Sequence, residues 1–383
     1  MARPFDICVL GDGIVGHVLA LSLARERLRV GLVLPDTRDN KSPVDVRAYA
    51  LNQQSRALLD TLRCWPEPAQ ATGVLSMQVQ DIGGGAVAFD AAQQGVEALA
   101  WIVDVPSLEA RLAHALQFQS GIELLSAAPQ ASLTVVCEGR ASGTRANLGV
   151  QMEITPYNQW AIATRVQCEL AHAQTACQWF SPEATLGFLP LDGATGNSMA
   201  IVWSVNQDQH AELMAMDAQM FASRLEQACA RRFGGLTLAG ARVAWPLQLA
   251  TATRWSGVSD GRSWVLAGDA AHVVHPLAGQ GLNLGLADVA ELVRQIAGRD
   301  YWREVNDDKL LRRYERARKA AVLLMATTTD GLQQLFARPG AGWAGVRNLG
   351  LSGFEHSGLL KRWVARQAMG MPGRDHSATI KPL

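Results

Sequence analysis

The chain has 383 residues, room for two intertwined domains and a large cofactor. Lys plus Arg and Asp plus Glu number 35 each, so the formal net charge is zero and the basic excess that grips a phosphate backbone is missing, which argues against nucleic acid as a partner. Apolar residues at 48% and charged ones at 18% fit a folded protein with a substantial core and exclude wholesale disorder.

In chain order, residues 5–10 (FDICVL) form an apolar run, Val15 to Arg27 reads as a helix, and residues 30–34 (VGLVL) form a second apolar run, which makes a β-α-β opening. Asp6, Asp12, three glycines and His17 interrupt this apolar start, which lacks a signal peptide's charged leader and cleavage pattern and a membrane span's unbroken length. Between strand and helix, Gly11, Gly13 and Gly16 spell GDGIVG. The first glycine allows a tight turn, the second lets backbone amides approach a pyrophosphate, and the third permits close helix packing. A βα turn that closes without a ligand is the competing reading, and the strand-to-helix context favours a dinucleotide. The acidic residue expected about 20 positions later to hold a ribose is missing. Leu34 stands there, with Asp36 two residues on, past Pro35, as the substitute candidate.

Apolar strands with glycine turns recur at 133–139 (LTVVCEG) and 264–268 (WVLAG), and three such strand ends suggest one composite ligand site. Between them, LGVQMEI, WAIATRV, ATLGFLPL and MAIVWSV read as strands separated by Gly, Pro and Asn, a sheet-rich insert. Helical periodicity dominates after Leu282, to about Ile296, around 307–336 and near 358–369, and a loose tail follows Met371. The six cysteines, Cys8, Cys64, Cys137, Cys168, Cys177 and Cys229, form no CxxC pair, so neither a metal site nor a disulfide framework is indicated and a cytoplasmic protein with reduced thiols is expected.

The most informative segment is 268–288, GDAAHVVHPLAGQGLNLGLAD. Gly268 and Asp269 end a strand, where the carboxylate is placed to accept hydrogen bonds from ligand hydroxyls. Gly279, Gln280, Gly281, Leu282 and Asn283 open a helix whose free N–H groups and positive dipole end suit an anion. The segment resembles the class A flavin monooxygenases and, within them, the ubiquinone-biosynthesis hydroxylases, whose FAD motif looks like GDAAHxxHPxAGQGxNxGxxD. Asp45-Val46-Arg47 with Ala50-Leu51 and Ser55 resembles the family's DxRxxALxxxS, which implies that Arg47 lies near the FAD pyrophosphate and ribityl chain; a solvated arginine is the alternative. Glu138-Gly139 with Ser142 and Arg145 is similar to DGxxSxxR, with Glu for Asp. Tyr157 to Ile162, Phe188 to Leu191, Trp203, Pro246-Leu247, Tyr314-Glu315 with Arg318, Thr329 to Leu332 and Lys361 to Met369 extend the likeness over almost the whole chain. Besides Leu34 and Glu138, the chain departs from the family at Val105, where a polar amide is usual, and in a shortened stretch between about Leu116 and Leu133.

The resemblance implies an α/β (α+β) protein with the fold of p-hydroxybenzoate hydroxylase: a Rossmann-like FAD-binding domain (1–146 and 246–298), interleaved with a β-sheet substrate domain (147–245), a helical C-terminal region (299–371) and a flexible tail (372–383). It implies FAD, with NAD(P)H and O2 as cosubstrates, and a flavin C4a-hydroperoxide that hydroxylates an electron-rich phenol. Pro276, Leu277, Gly279 and Gln280 then wall the reacting edge, and the helix beginning near Gly281 favours the anionic reduced flavin. The substrate cavity is expected to be mostly apolar, with Trp179, Phe180, Phe188, Trp203 and Trp245 as candidates for its sheet face or, alternatively, as core. His272 and His275 are read as satisfying backbone groups, and no general base is assigned. The implied substrate is a prenylated phenol or quinone precursor, with other ubiquinone-pathway proteins as partners and peripheral contact with the inner face of the membrane. For that contact the candidate is a basic amphipathic helix, Leu359 to Met369, which alternatively packs on the FAD domain. Two other readings stay open: a non-catalytic accessory subunit with weakened FAD binding, and a flavin hydroxylase of a soluble aromatic compound.

Overall fold

The computed structural model describes residues 4–34, 45–81, 85–181, 183–274 and 281–337. Asp36, His275, Pro276, Leu277, Gly279, Gln280, the 358–369 segment and the tail lie outside the described residues.

Three sheets run through the described residues. The first has six strands in the order Ser256–Ser259, Arg262–Leu266, Ala131–Val136, Phe5–Leu10, Val30–Val33, Ile122–Leu125. All but the first of these run parallel, with Cys8 opposite both Gly31 and Thr134. A central parallel strand is covered on both faces, which is why FDICVL is apolar throughout its buried part. The Asp260-Gly261 turn, with φ of +50° and +72°, closes the antiparallel hairpin at the edge. Helix Ile14–Arg25 is buried nearly all round because Val105–Gln117 and Gly281–Ala297 both pack on it.

The second sheet has nine strands. Its main path is His272–Val273, Val243–Ala252, Met152–Cys168, Ser198–Asn206, Thr185–Pro190, Thr175–Phe180, Ser76–Asp81, Ala86–Asp90, and Leu236–Leu238 pairs with Met152–Cys168. It is antiparallel except where Thr175–Phe180 meets Ser76–Asp81. The end of LGVQMEI, from Met152, and all of WAIATRV lie in one 17-residue strand, whose register against Val243–Ala252 shifts between Pro156 and Trp160, with Asn158 at φ +54°. Proline cannot donate to the ladder, and the bulge lets the strand bend and continue. Helices Gln207–Ala215 and Ala218–Ala228, capped by the side chains of Asn206 and Asp217, cover one face of this sheet. The third sheet orders Ala48–Leu51, Ala100–Asp104, Ala71–Val74 antiparallel.

Gly281–Ala297 and Asp308–Ala337 realise the helical periodicity read after Leu282. Among the described residues no helix is long and apolar enough to cross a membrane.

Candidate cofactor and substrate site

A cavity of about 910 Å³ lies between the glycine turns of the six-stranded sheet and one face of the nine-stranded sheet, near the upper end of the sizes that enclose small-molecule ligands. Its first wall is backbone. A Cβ at Gly11, where φ is +134°, would stand 2.4 Å from the Cys137 carbonyl oxygen, and one at Gly16 would stand 2.2 Å from that of Gly11. Those two glycines serve the protein's own packing. Gly13 differs: it lines the cavity, and a Cβ there would meet nothing within 4 Å. It is also the N-cap of Ile14–Arg25 and no side chain caps that helix, so the positive end of the helix is left for an anion.

Gly139 and Gly281 repeat the pattern. Each lines the cavity with open space where a Cβ would be, and Gly281 begins a 17-residue helix. Three glycines from separate turns thus form a cradle that side chains would fill, which fits a dinucleotide approached closely by backbone. Leu282 and Gly268 also line it.

Asp269 projects into the cavity, reached by solvent yet walled in by protein. Desolvation raises its carboxyl pKa, against the pull of His272, Arg140 and Arg47. Arg47 lines the same space, its Nη2 2.6 Å from Asp45 Oδ2 and its Nη1 3.3 Å from the Tyr49 hydroxyl. Burial alone raises the Asp45 carboxyl, but hydrogen bonds and charge from Arg47 reverse this and hold it below its ordinary value.

The remaining motif residues fasten the wall. Glu138 does not line the cavity: its oxygens accept from Ser142 Oγ at 2.7 Å, Thr144 N at 3.0 Å and Thr144 Oγ1 at 2.6 Å. The carboxylate is turned back onto the start of helix Gly143–Asn147, and Gly139 and Arg140 take the place at the cavity expected of Glu138. Buried Arg145 donates to Ala270 O at 3.1 Å and Arg140 O at 2.9 Å, which ties this turn to the 268–271 turn. Asn283 spends its amide on protein: Oδ1 accepts from Asn52 N (2.9 Å) and Ser55 Oγ (2.7 Å), and Nδ2 donates to Ala50 O (2.7 Å). Two distant family motifs are one hydrogen-bonded joint.

Sequence reading left the role of Asp288 unassigned, although it closes the 268–288 motif. It is fully buried, accepts from Gly268 N at 2.9 Å and Arg318 Nε at 2.6 Å, and lies 2.6 Å from His272 Nε2. Burial raises its pKa, but His272 and then Arg318 outweigh that and hold it below the ordinary carboxylate value. His272 stacks on Trp255 at 5.0 Å, so it is a core group whose Nε2 faces a buried carboxylate rather than the backbone groups expected of it. Tyr314 donates to Leu266 O at 2.9 Å beside this clamp.

The second wall is sheet. Trp245 lines the cavity, but Trp179, Phe180, Phe188 and Trp203 do not. Trp179, Phe188 and Trp203 sit on the opposite face, in a cluster with Phe221 and Phe233. Strand alternation is the reason: Gly187, Leu189, Ala200, Val202 and Ser204 face the cavity while their neighbours face the covering helices. The room comes from small residues that sequence reading passed over, and the MAIVWSV alternation was the available signal. Val74, Met77, Ile102 and Val243 keep the cavity largely apolar. Cys177 is paired with Phe188 and its side chain belongs to the closed-face cluster, where burial pushes its thiol up to about 11, so it stays protonated.

The departures also have places. The Leu34 amide donates to Leu125 O at 2.9 Å and its side chain packs on the core. Val105 lines the cavity and its amide donates to Arg47 O at 3.4 Å.

Residues 127–329 match the FAD binding domain family. The chain is 31% identical to a ubiquinone hydroxylase, UbiL, of Rhodospirillum rubrum, over 95% of this chain and 89% of that one. It is 28% identical to the 3-demethoxyubiquinol 3-hydroxylase of Escherichia coli, over 96% of this chain and 99% of that one. Among solved structures, p-nitrophenol 4-monooxygenase from Pseudomonas putida superposes with a TM-score of 0.74 at 17% identity, over 98% of this chain and 100% of the other, a likeness of fold.

Proposed function

The chain belongs to the FAD-binding family of class A flavin monooxygenases, and on that premise we propose that it hydroxylates the ring of a prenylated phenol on the way to ubiquinone, with NAD(P)H and O2 as cosubstrates. One observation carries the proposal: a single cavity has a backbone cradle on one side and an apolar, small-residue sheet face on the other. Bound FAD supplies the redox centre that activates O2 for insertion into the ring.

The chain's own residues bind, orient and exclude water. Gly13 and the N-terminus of Ile14–Arg25 receive the pyrophosphate, with Gly139 and Gly281 admitting the cofactor to backbone distance. Arg47 supplies positive charge and Asp269 accepts from cofactor hydroxyls. The helix dipole at Gly281 stabilises negative charge beside it. By family resemblance, Pro276, Leu277, Gly279 and Gln280 are assigned to the reacting end. Gly187, Ala200 and Val202 leave room for a ring and keep water scarce, with Trp245 as the aromatic contact. The division into an FAD-binding part (1–146 with 246–298), a substrate sheet (147–245) and a helical C-terminal region belongs to the same proposal, as do working contact with a membrane surface and with other quinone-pathway proteins. The names of the relatives favour a prenylated substrate, and the open cradle favours an enzyme over an accessory subunit.

Purified protein incubated with FAD, NAD(P)H and either a prenylated phenol or its unprenylated counterpart tests this reading. Ring hydroxylation of the prenylated compound supports it, and NAD(P)H oxidation indifferent to both phenols, with no hydroxylated product, contradicts it.

A further inference from the structure

Arg165 stands on the Met152–Cys168 strand, opposite Ala200, on the substrate sheet. Its guanidinium leaves that sheet. Nε donates to Val46 O at 3.0 Å, and Nη2 donates to Arg47 O at 3.2 Å and to Asp104 Oδ1. Asp104 is fixed in turn, because its Oδ2 accepts from Ser107 N at 3.0 Å and caps helix Val105–Gln117. Ala239 N donates to Arg165 O at 2.8 Å, and the next residue, Gly240, packs close to the Val46 side chain, where a Cβ would stand 3.1 Å from Cγ1. The Arg47 side chain bonds to Asp45 and Tyr49, both within two residues of it. Those bonds set its shape, whereas its position relative to the substrate sheet is set through its backbone.

We propose that Arg165 is a positioning residue for cofactor binding: it fixes the Val46–Arg47 main chain from the substrate sheet, and through it the place of the Arg47 guanidinium at the cavity wall. The inference rests on the reading of Arg47 as an FAD-binding residue. Arginine suits the task because a planar fork reaches two carbonyls and a carboxylate together, which a single ammonium does not. The rival is a brace that holds two sheets together without regard to Arg47.

A double-mutant cycle on the full chain separates these, with FAD dissociation constants read from flavin fluorescence and folding from a thermal melt without FAD. Arg165→Gln is expected to weaken FAD binding about tenfold in the wild-type background and by less than about twofold in Arg47→Ala, because the effect passes through Arg47. Arg165→Lys is expected between wild type and Arg165→Gln, and it carries the same cycle where Arg165→Gln does not fold. Equal weakening in both backgrounds, or none in the wild type, overturns the inference. If Arg47→Ala itself leaves FAD affinity unchanged, the reading of Arg47 falls and this inference with it. If Arg47→Ala weakens binding and neither Arg165 variant does, only this inference falls.

Discussion

The two faces of the nine-stranded sheet come from the same strands and do opposite things. On the closed face, Trp179, Phe188 and Trp203 interlock with Phe221 and Phe233, and Phe188 is fully buried with ring centroids 5.3 Å from those of Trp179 and Phe233. On the cavity face, Gly187, Ala200, Val202 and Ser204 leave space. Large apolar side chains lower the free energy most where other protein covers them. A binding face needs the reverse, small residues backed by a rigid layer. The glycine turns obey the same division, with Gly11 and Gly16 facing protein and Gly13 facing the cavity.

Substitutions on the two sides should therefore separate stability from binding. Phe188→Ala is expected to lose about 4 kcal/mol of stability with FAD affinity of the folded protein unchanged, checked by denaturant unfolding and FAD titration. An equal loss of FAD affinity breaks the distinction. Asp288→Asn, which leaves Arg318 and His272 short of a buried partner, is expected to lose about 3 kcal/mol. Because the folded Asp288 carboxyl lies below its ordinary value of 3.8, its stabilisation is full above that range and fades as pH falls through the folded value. Glu315 acts in the same sense below its ordinary 4.5: burial raises it, but bonds from Lys319, Ser256 and the Trp255 amide lower it further. Acid unfolding followed from pH 6 to pH 2, in steps of about one unit, should show this loss in wild type and a shallower one in Asp288→Asn.

The glycine pair gives smaller effects. Gly16→Ala forces a Cβ onto the Gly11 carbonyl and is expected to cost about 2 kcal/mol in the cofactor-free protein. Gly13→Ala, at an N-cap where alanine is less favourable than glycine, is expected to cost at most about 1 kcal/mol while weakening FAD about tenfold. Melts without FAD and titrations with it decide between the two outcomes, and a Gly13→Ala protein destabilised as much as Gly16→Ala would contradict the open cradle.

Much of this was legible because it is local. FDICVL, GDGIVG and VGLVL lie within 30 residues and fold into neighbouring strands around one helix, and the 268–288 segment carries its own strand end and helix start. What escaped depends on pairing across the chain. Asn283 joins Asn52 across 231 positions, and Arg318 reaches back 30 residues to Asp288. Neither partner can be read from spacing. Trp179, Phe188 and Trp203 lie away from the cavity for a related reason: alternation tells which residues share a face, but the covering helices, Gln207–Ala215 and Ala218–Ala228, decide which face is closed. The partners of Glu138 were not legible either: the hydroxyl and amide donors of Ser142 and Thr144 turn its carboxylate away from the cavity.

Under the proposed function, cofactor and aromatic substrate share one cavity from opposite walls. Val202→Trp separates the two walls, since it fills the sheet side and leaves the glycine wall untouched. Measured together, FAD affinity should stay within about twofold of wild type while phenol-dependent NAD(P)H oxidation falls at least about tenfold. Unchanged phenol-dependent oxidation in that variant would place the substrate elsewhere and contradict the claim.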